Sequence, residues 1–206
     1  MNSDWRFFSL ILIPFLLGSC SPGNDQPDVS GTEVQESPAS IATTEGATGF
    51  TAAGKISQWG ISAEASTEFA NPEWSASQAV GSPDSPGCGD YQFAWASAAS
   101  DSIDTLEITF PRFVYPQEIN IQESFNPDQV VKVEVFNADT GAYYTVLQKN
   151  PVQIDRPCPY ELNVVVENID FKTNQVRITI DQSQLGLGWN EIDAVQLVGV
   201  LNLPAD

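Results

Sequence analysis

The chain has 206 residues, with 27 Asp and Glu against eight Lys and Arg, and a net charge of −19 at pH 7. That balance argues against a basic patch of the kind that binds nucleic acid or anionic lipid. The chain contains no histidine, which excludes Ser-His-Asp and Cys-His catalysis and the usual Cys/His zinc sites. A hydrophobic fraction of 42% with five tryptophans is enough for a folded core.

The N-terminus has the architecture of an export signal. A short polar head precedes an apolar run from Phe7 to Leu17, which has the length of a signal-peptide core and is short for a membrane span. The run ends in the letters LGSC, with Cys20 last, and this ending resembles the lipobox of bacterial lipoproteins. In that class Cys20 is lipidated and becomes the mature N-terminus. The alternatives are a secretory signal with an incidental Cys20 and an uncleaved anchor.

We therefore predict a signal peptide at residues 1–19, a tether at 20–52 and one domain at 53–206. The tether is rich in Ser, Thr, Gly, Pro and acids, a composition that cannot bury enough surface to fold. The prediction places the protein in the bacterial cell envelope, at the outer membrane or cell surface, with the lipid as its membrane contact. Ser21, rather than Asp, follows Cys20 and favours the outer membrane where the cell has one.

From residue 53 onward, short runs of β-branched residues alternate with turns that contain Gly and Pro. The tetrapeptide ADTG at 138–141 has the composition of a hairpin turn. No stretch has a convincing helical period. The pattern predicts an all-β sandwich. The predicted strand segments are an opening stretch at 56–69 and then 102–110, 118–125, 130–137, 142–149, 162–168, 175–182 and 192–200.

Two cysteines, Cys88 and Cys158, remain once Cys20 is assigned to the lipid. In an exported domain such a pair most simply forms one disulfide, and two free thiols are the alternative. A disulfide between Cys88 and Cys158 would close a long loop. In the chain-entropy model such a bridge stabilises the folded state by about 4 kcal/mol.

Three groups of segments, in this order, resemble the galactose-binding-domain-like superfamily, the discoidin or coagulation factor type C sandwich. The order is also similar to the sandwich that precedes the F-box in one group of eukaryotic leucine-rich-repeat proteins. The segments are WSASQAVGSPD and CGDYQFAWAS (74–84 and 88–97), INIQESFNPDQVVKVEVF (119–136), and TNQVRITID with WNEIDAVQLVG (173–181 and 189–199).

The resemblance implies a jelly roll of about eight antiparallel strands that binds glycans, lipid headgroups or proteins, without deciding which. The superfamily also contains modules that have lost the sugar site. Trp95 matches a core tryptophan of the family, and Trp59 and Phe69 are expected in the core as well. Asp128 stands where the family pattern has Gly, so we expect the turn there to differ.

A structural Ca²⁺ is a further implication of the resemblance. Many members hold it between an early loop and an acid that enters the last strand, and the matching positions here are Asp84 and Glu191. The alternatives are a turn residue that bonds its own backbone at Asp84, and a carboxylate that anchors a loop at Glu191.

Glu191 and Asp193 also raise the question of catalysis, because residues two apart on a strand share one face. Their separation suits a glycosidase pair, yet nothing nearby in the sequence supplies a substrate cleft. We therefore predict that the protein is not an enzyme. For Asp193 we expect a structural role, with Arg177 in the preceding strand as its partner.

Loop aromatics are the candidates for a sugar site. Trp74 lies in a loop, Tyr91 follows the Cys88 loop, and Tyr160 follows Cys158, so a disulfide would bring the two tyrosines together. With Arg156 they form a predicted ligand-binding rim of Trp74, Tyr91, Arg156 and Tyr160. The alternative is that these aromatics cap the ends of the sandwich.

The sequence thus predicts a lipid-anchored, non-catalytic binding module whose partner is a carbohydrate or another surface polymer. It predicts no nucleic-acid partner and no cofactor other than calcium. The alternative is an envelope protein–protein interaction or scaffolding module without a sugar site.

Overall fold

The structure is a computed structural model that describes residues 49–50 and 54–203. The predicted signal peptide, the lipid site at Cys20 and most of the tether lie outside the described residues. The strands are β1 (Gly49–Phe50), β2 (Lys55–Trp59), β3 (Ser62–Ala65), β4 (Ile103–Phe125), β5 (Val130–Asn137), β6 (Ala142–Gln148), β7 (Tyr160–Val165), β8 (Thr173–Asp181) and β9 (Glu191–Val200), with a 3-10 helix at Ala76–Ala79.

The strands form two antiparallel sheets that share β4. One sheet has the order β1-β2-β9-β4-β7, in which β4 contributes its second half. The other has the order β3-β4-β8-β5-β6, in which β4 contributes its first half. The predicted all-β sandwich is confirmed. Strand β1 begins before the predicted domain boundary at residue 53, because Gly49 and Phe50 already pair with β2.

Strand β4 replaces two predicted strands and carries the chain from one sheet to the other. The register shifts between Thr109 and Val114 and again between Pro116 and Glu118. Prolines are tolerated in strands at such irregularities, where a ladder hydrogen bond is missing anyway. At the bend the buried side chain of Gln58 bonds both backbone groups of Arg112, at 2.9 and 3.0 Å. This amide replaces the strand partner that the bend lacks.

Strand β9 fits against the second bend of β4 through a glycine. A Cβ atom on Gly199 would stand 2.4 Å from the carbonyl oxygen of Tyr115 and 2.6 Å from a methyl group of Val114. No side chain fits that space, so the close approach of the two strands requires glycine at this position.

The core lies between the two sheets, and Trp95 is its largest fully buried side chain. Its backbone bonds Ile192 in both directions, and its indole N–H donates to the carbonyl of Thr67 at 3.0 Å. The predicted core position of Trp95 is therefore confirmed. Trp59 is half-buried, and Phe69 is 50% exposed, so the prediction of a core Phe69 is wrong.

Among residues 49–50 and 54–203 there is no helix of the length and apolarity needed to cross a membrane.

Candidate functional site

Glu191 and Asp193 lie at the start of strand β9. Both carboxylates bind the loop from Ser85 to Tyr91, which contains Cys88 and is called the Cys88 loop below. Asp193 Oδ1 accepts hydrogen bonds from the backbone N–H and the hydroxyl of Ser85, at 3.2 and 2.9 Å. Glu191 Oε2 accepts the backbone N–H of Tyr91 at 3.0 Å. The two side chains are 2% and 4% exposed. They serve neighbouring segments of one loop, as residues two apart on a strand can do.

Burial changes the titration of both carboxylates. It raises the pKa of Glu191 to about 8, against the opposing hydrogen bond from the Tyr91 N–H, and the charge of neighbouring Asp90 raises it further. Burial also raises the pKa of Asp193, while its bonds from Ser85 oppose the change. Both acids are therefore buried beneath the Cys88 loop. None of the hydrogen bonds described above comes from a cationic side chain.

Arg177 is not the partner of Asp193, and that prediction is wrong. Its guanidinium pairs with Glu107 at 2.6 Å and lies 3.5 Å above the ring centre of Tyr143. Arg177 and Glu107 face each other across β8 and β4 in one sheet, whereas Asp193 lies on β9 in the other sheet. Order along the chain could not separate the two sheets.

The predicted calcium ligands, Asp84 and Glu191, have different partners. Asp84 is exposed, and its backbone N–H lies 3.5 Å from Asp193 Oδ1. Glu191 instead binds the Tyr91 backbone. In the part of the chain that the structure describes, no three acidic or thiol side chains are grouped as metal ligands. The arrangement therefore shows no converged donor set, and calcium stays a prediction.

A small cleft of about 170 Å³ opens above Glu191, and we call it the aromatic cleft. Phe69 stands at its centre, edge-to-face with Trp74 at 5.4 Å and with Trp189 at 5.5 Å between ring centres. Its lining residues are Phe69, Trp74, Asp90, Ala96, Trp189 and Glu191.

Hydrogen bonds fix both indoles of the aromatic cleft. Trp74 has a φ of +52°, and its N–H donates to Asp90 Oδ1 at 3.0 Å. The N–H of Trp189 donates to the carbonyl of Ser97 at 3.0 Å. Because both ring N–H groups are satisfied inside the protein, the rings present their faces and edges to the cleft.

A larger cleft of about 510 Å³ lies beside the disulfide, and we call it the arginine cleft. Its lining includes Cys88, Cys158, Asn126, Asp128, Ile154 and Arg156. Cys88 and Cys158 form the predicted disulfide, with 4.9 Å between their Cα atoms. Arg156 Nε bonds buried Asp128 at 2.5 Å, and the guanidinium also contacts the Tyr160 hydroxyl and lies 4.4 Å from its ring centre.

The turn at Asp128 explains the departure from the family pattern. Asp128 has a φ of +84°, a region in which glycine is at ease and other residues are strained. The carboxylate compensates, since it accepts the backbone N–H of Ile154 at 2.8 Å and pairs with Arg156. The backbone therefore keeps the shape expected of glycine, while the side chain anchors the segment that leads to the disulfide.

The described domain corresponds to a known family. The chain matches the family described as PAPPA: Pappalysin-1, SD scarf domain, C-terminal, over residues 49–205. The chain belongs to this family. F-box/LRR-repeat protein 4 of Bos taurus is 25% identical over 120 residues, which are 54% of this chain and 19% of that protein. The similarity thus spans less than a fifth of that relative.

Two solved structures show the same fold as this scarf domain. One is a variant of chitosan-binding module 1 from a chitosanase/glucanase of Paenibacillus sp. IK-5, with a TM-score of 0.51 and 12% identity, covering 67% of this chain and 93% of that one. The other is CpGH89CBM32-4 of Clostridium perfringens in complex with GlcNAc-α-1,4-galactose, with a TM-score of 0.51 and 15% identity, covering 67% and 89%. The predicted galactose-binding-like sandwich is confirmed.

In this scarf domain the predicted rim divides between two places. Trp74 lines the aromatic cleft, whereas Arg156 lines the arginine cleft with Tyr160 packed against it. Tyr91 contributes its backbone N–H to Glu191, and its ring lies against Gly89, where a Cβ atom would stand 3.2 Å from the ring. The structure brings Arg156 and Tyr160 together and does not place Trp74 with them.

Sequence reasoning missed two residues of the aromatic cleft, Phe69 and Trp189. Phe69 ends the opening strand segment and was expected inside. Trp189 follows the glycines Gly186 and Gly188, whose spacing indicates a loop. A tryptophan in a glycine-containing loop was the signal that could have identified Trp189 as a candidate. Only the tertiary structure shows that this loop lies near Trp74.

Proposed function

We propose that this scarf domain is a non-catalytic binding module that recognises a carbohydrate or another surface polymer through the aromatic cleft. The observation that carries the proposal is the cleft in which Phe69, Trp74 and Trp189 lie together with two acids. These acids are Asp90 and Glu191. Sugar rings have apolar faces that pack on aromatic rings and hydroxyls that bond carboxylates. The two solved structures of this fold, a chitosan-binding module and a GlcNAc-galactose complex, support the same ligand class.

The non-catalytic part of the proposal has support from the acids that could have reacted. Glu191 and Asp193 both hold backbone N–H groups of the Cys88 loop, so their oxygens serve the fold. The chain has no histidine to act as a base.

The proposal includes export and lipid attachment at Cys20, which place the domain in the bacterial envelope, at the outer membrane or cell surface. The support is the signal architecture of the first twenty residues. A lipid anchor and a tether suit a module that binds an extended polymer, because the tether lets the cleft reach its ligand.

The test is a glycan array with the full-length protein, followed by Trp74→Ala. We expect a set of glycan hits for which the variant loses up to about tenfold in affinity, since a stacking contact with one ring is worth up to about 1.5 kcal/mol. Phe113→Ala is the matched control, because Phe113 is 48% exposed and lies on the β4 bend outside the cleft. An array without hits would favour the envelope scaffolding module instead.

Calcium remains a separate proposal, with Asp84 and Glu191 as the ligands. If they hold Ca²⁺, calcium stabilises the folded state and a chelator lowers the melting temperature. Melting curves of the wild type and of Asp84→Asn, each with calcium and with chelator, decide the matter. Identical curves would remove the metal from the description of this domain.

A further inference from the structure

The polar groups of the aromatic cleft are of one kind. Of its six lining residues, Asp90 and Glu191 are acids, three are aromatic, and Ala96 has no polar side-chain atom. The two indole N–H groups, which are the remaining side-chain donors, are already bonded to Asp90 and to Ser97. The side chains therefore offer a ligand ring faces and acidic oxygens.

The backbone of the cleft offers few donors as well. The N–H of Phe69 donates to Ala96, that of Ala96 to Trp74, and that of Trp74 to Gln92, at 2.9 to 3.2 Å. A neutral sugar carries hydroxyls that both donate and accept, and its specific sites supply donors and acceptors together. This cleft supplies mainly acceptors, so the group that it suits best is a strong donor.

The exposed carboxylate of Asp90 gives the cleft its negative charge, and no cation of the lining pairs with it. No Lys or Arg belongs to the six lining residues, whereas in the neighbouring arginine cleft Asp128 is paired with Arg156. Glu191 is 2% exposed and still lines the cleft. Aromatic ring faces attract cations, and carboxylates next to them add to the attraction.

We propose that the aromatic cleft binds the ammonium group of an amino sugar, as presented by a hexosamine polymer that has lost its N-acetyl groups. This inference rests on the proposed carbohydrate-binding function and names the ligand class. The sugar ring stacks on the aromatic faces, and the ammonium group donates to the carboxylate of Asp90 and to a carboxyl oxygen of Glu191. The cleft volume of about 170 Å³ lies below the range of drug-sized pockets, which start at about 300 Å³, and suits one sugar ring.

The test compares three oligosaccharides of equal length by calorimetry with the full-length protein, at mildly acidic pH where the amines are protonated. They are oligomers of glucosamine, N-acetylglucosamine and glucose, which differ only at carbon 2. We expect the glucosamine oligomer to bind about tenfold or more tightly than the other two, as a desolvated cation–π contact with a carboxylate allows.

Asp90→Asn tests the charge without changing the shape. The Asn oxygen can still accept the Trp74 N–H, so the indole keeps its place while one negative charge is lost. We expect the preference for the glucosamine oligomer to fall to about threefold or less, with little change for the N-acetylated oligomer. Asp139→Asn is the charge-matched control, because Asp139 is exposed in the β5–β6 turn.

The outcomes separate this inference from the proposed function. Equal affinity for the three oligomers, or tighter binding of the N-acetylated one, would overturn the amino-sugar inference and leave carbohydrate binding standing. Binding of none of them, together with an empty array, would remove both. Binding that needs calcium would also overturn the inference, since the carboxylates would then hold a metal. Equally tight competition by a lysine peptide or by choline would assign the ammonium site to another ligand class.

Discussion

The aromatic cleft and the arginine cleft lie on either side of the same loop and use their polar groups in opposite ways. Cys88 lines one and Asp90 the other. In the arginine cleft, the guanidinium of Arg156 is paired with a buried carboxylate and covered by Tyr160. In the aromatic cleft, Asp90 and Glu191 lie beside three aromatic rings, and no cation is among the lining residues.

The comparison shows that cleft volume does not identify the binding site. The arginine cleft is about three times larger, at about 510 against 170 Å³, yet its charges stabilise the turn at Asp128 and the approach to the disulfide. The smaller cleft combines aromatic rings with acids that have no cationic partner among the lining residues. The chemical character of a cleft is therefore a better indicator of function than its size.

Removal of the disulfide should have the largest effect, because the bridge anchors the wall between the two clefts. The two cysteines are 70 residues apart, and the chain-entropy model assigns such a loop about 4 kcal/mol. We expect the double variant Cys88→Ser, Cys158→Ser to lose about that much unfolding free energy in urea titrations. Unchanged stability would mean that the loops pack without the bridge.

Replacement of Asp128 should follow, and it should affect one cleft alone. Asp128→Ala leaves Arg156 without its carboxylate partner. It also keeps a Cβ atom at a φ of +84° while removing the side-chain bonds that offset the backbone strain. We expect a loss of about 3 kcal/mol in unfolding free energy and no change in glycan affinity.

Asp128→Gly separates the two contributions at this turn. Glycine loses the ion pair but tolerates the positive φ, so it should be about 1 kcal/mol more stable than the alanine variant. Equal stability of the two variants would show that backbone strain is negligible there. A change in glycan affinity would show that the clefts are coupled.

A further effect should be seen in the pH dependence of stability. Burial raises the pKa of Glu123 from its ordinary 4.5 to about 7, against the hydrogen bond from the Asn190 amide. The folded state therefore binds more protons than the unfolded chain between these values and loses stability as the pH rises through the window. Glu191, with a pKa of about 8, contributes to the same fall and extends it to higher pH.

Melting temperatures across this pH window check the assignment. The wild type should be most stable near the lower end, and Glu123→Gln should make the fall less steep up to a pH of about 7, while the contribution of Glu191 remains. Asp139→Asn, at the exposed turn, should leave the curve unchanged. If the curve of Glu123→Gln follows that of the wild type, a group other than Glu123 causes the pH dependence.

Much of the fold could be predicted because its signals are local. Alternation along β5, β8 and β9, the turn at 138–141 and the core Trp95 all appear in the structure. The continuity of β4 could not be predicted, since Pro111 and Pro116 indicate interruptions and the bend is bridged by Gln58, which is distant in sequence.

The candidate site was predictable in part for the same reason. Trp74 was recognised as a loop aromatic, but Phe69 and Trp189 reach it from segments more than a hundred residues apart. The partner of Asp193 was missed because β8 and β9 are successive strands that lie in different sheets. Order along the chain carries no information about such pairings.

The sequence by itself determined the all-β class, the pairing of Cys88 with Cys158 and the absence of histidine chemistry. These depend on residue type and short-range periodicity. The tertiary structure decided which aromatics meet, which acids lack a cation and which arginine pairs with Asp128. Those properties depend on the bend of β4 and on how the loops fold over the end of the sandwich, where contacts between distant segments set burial and charge.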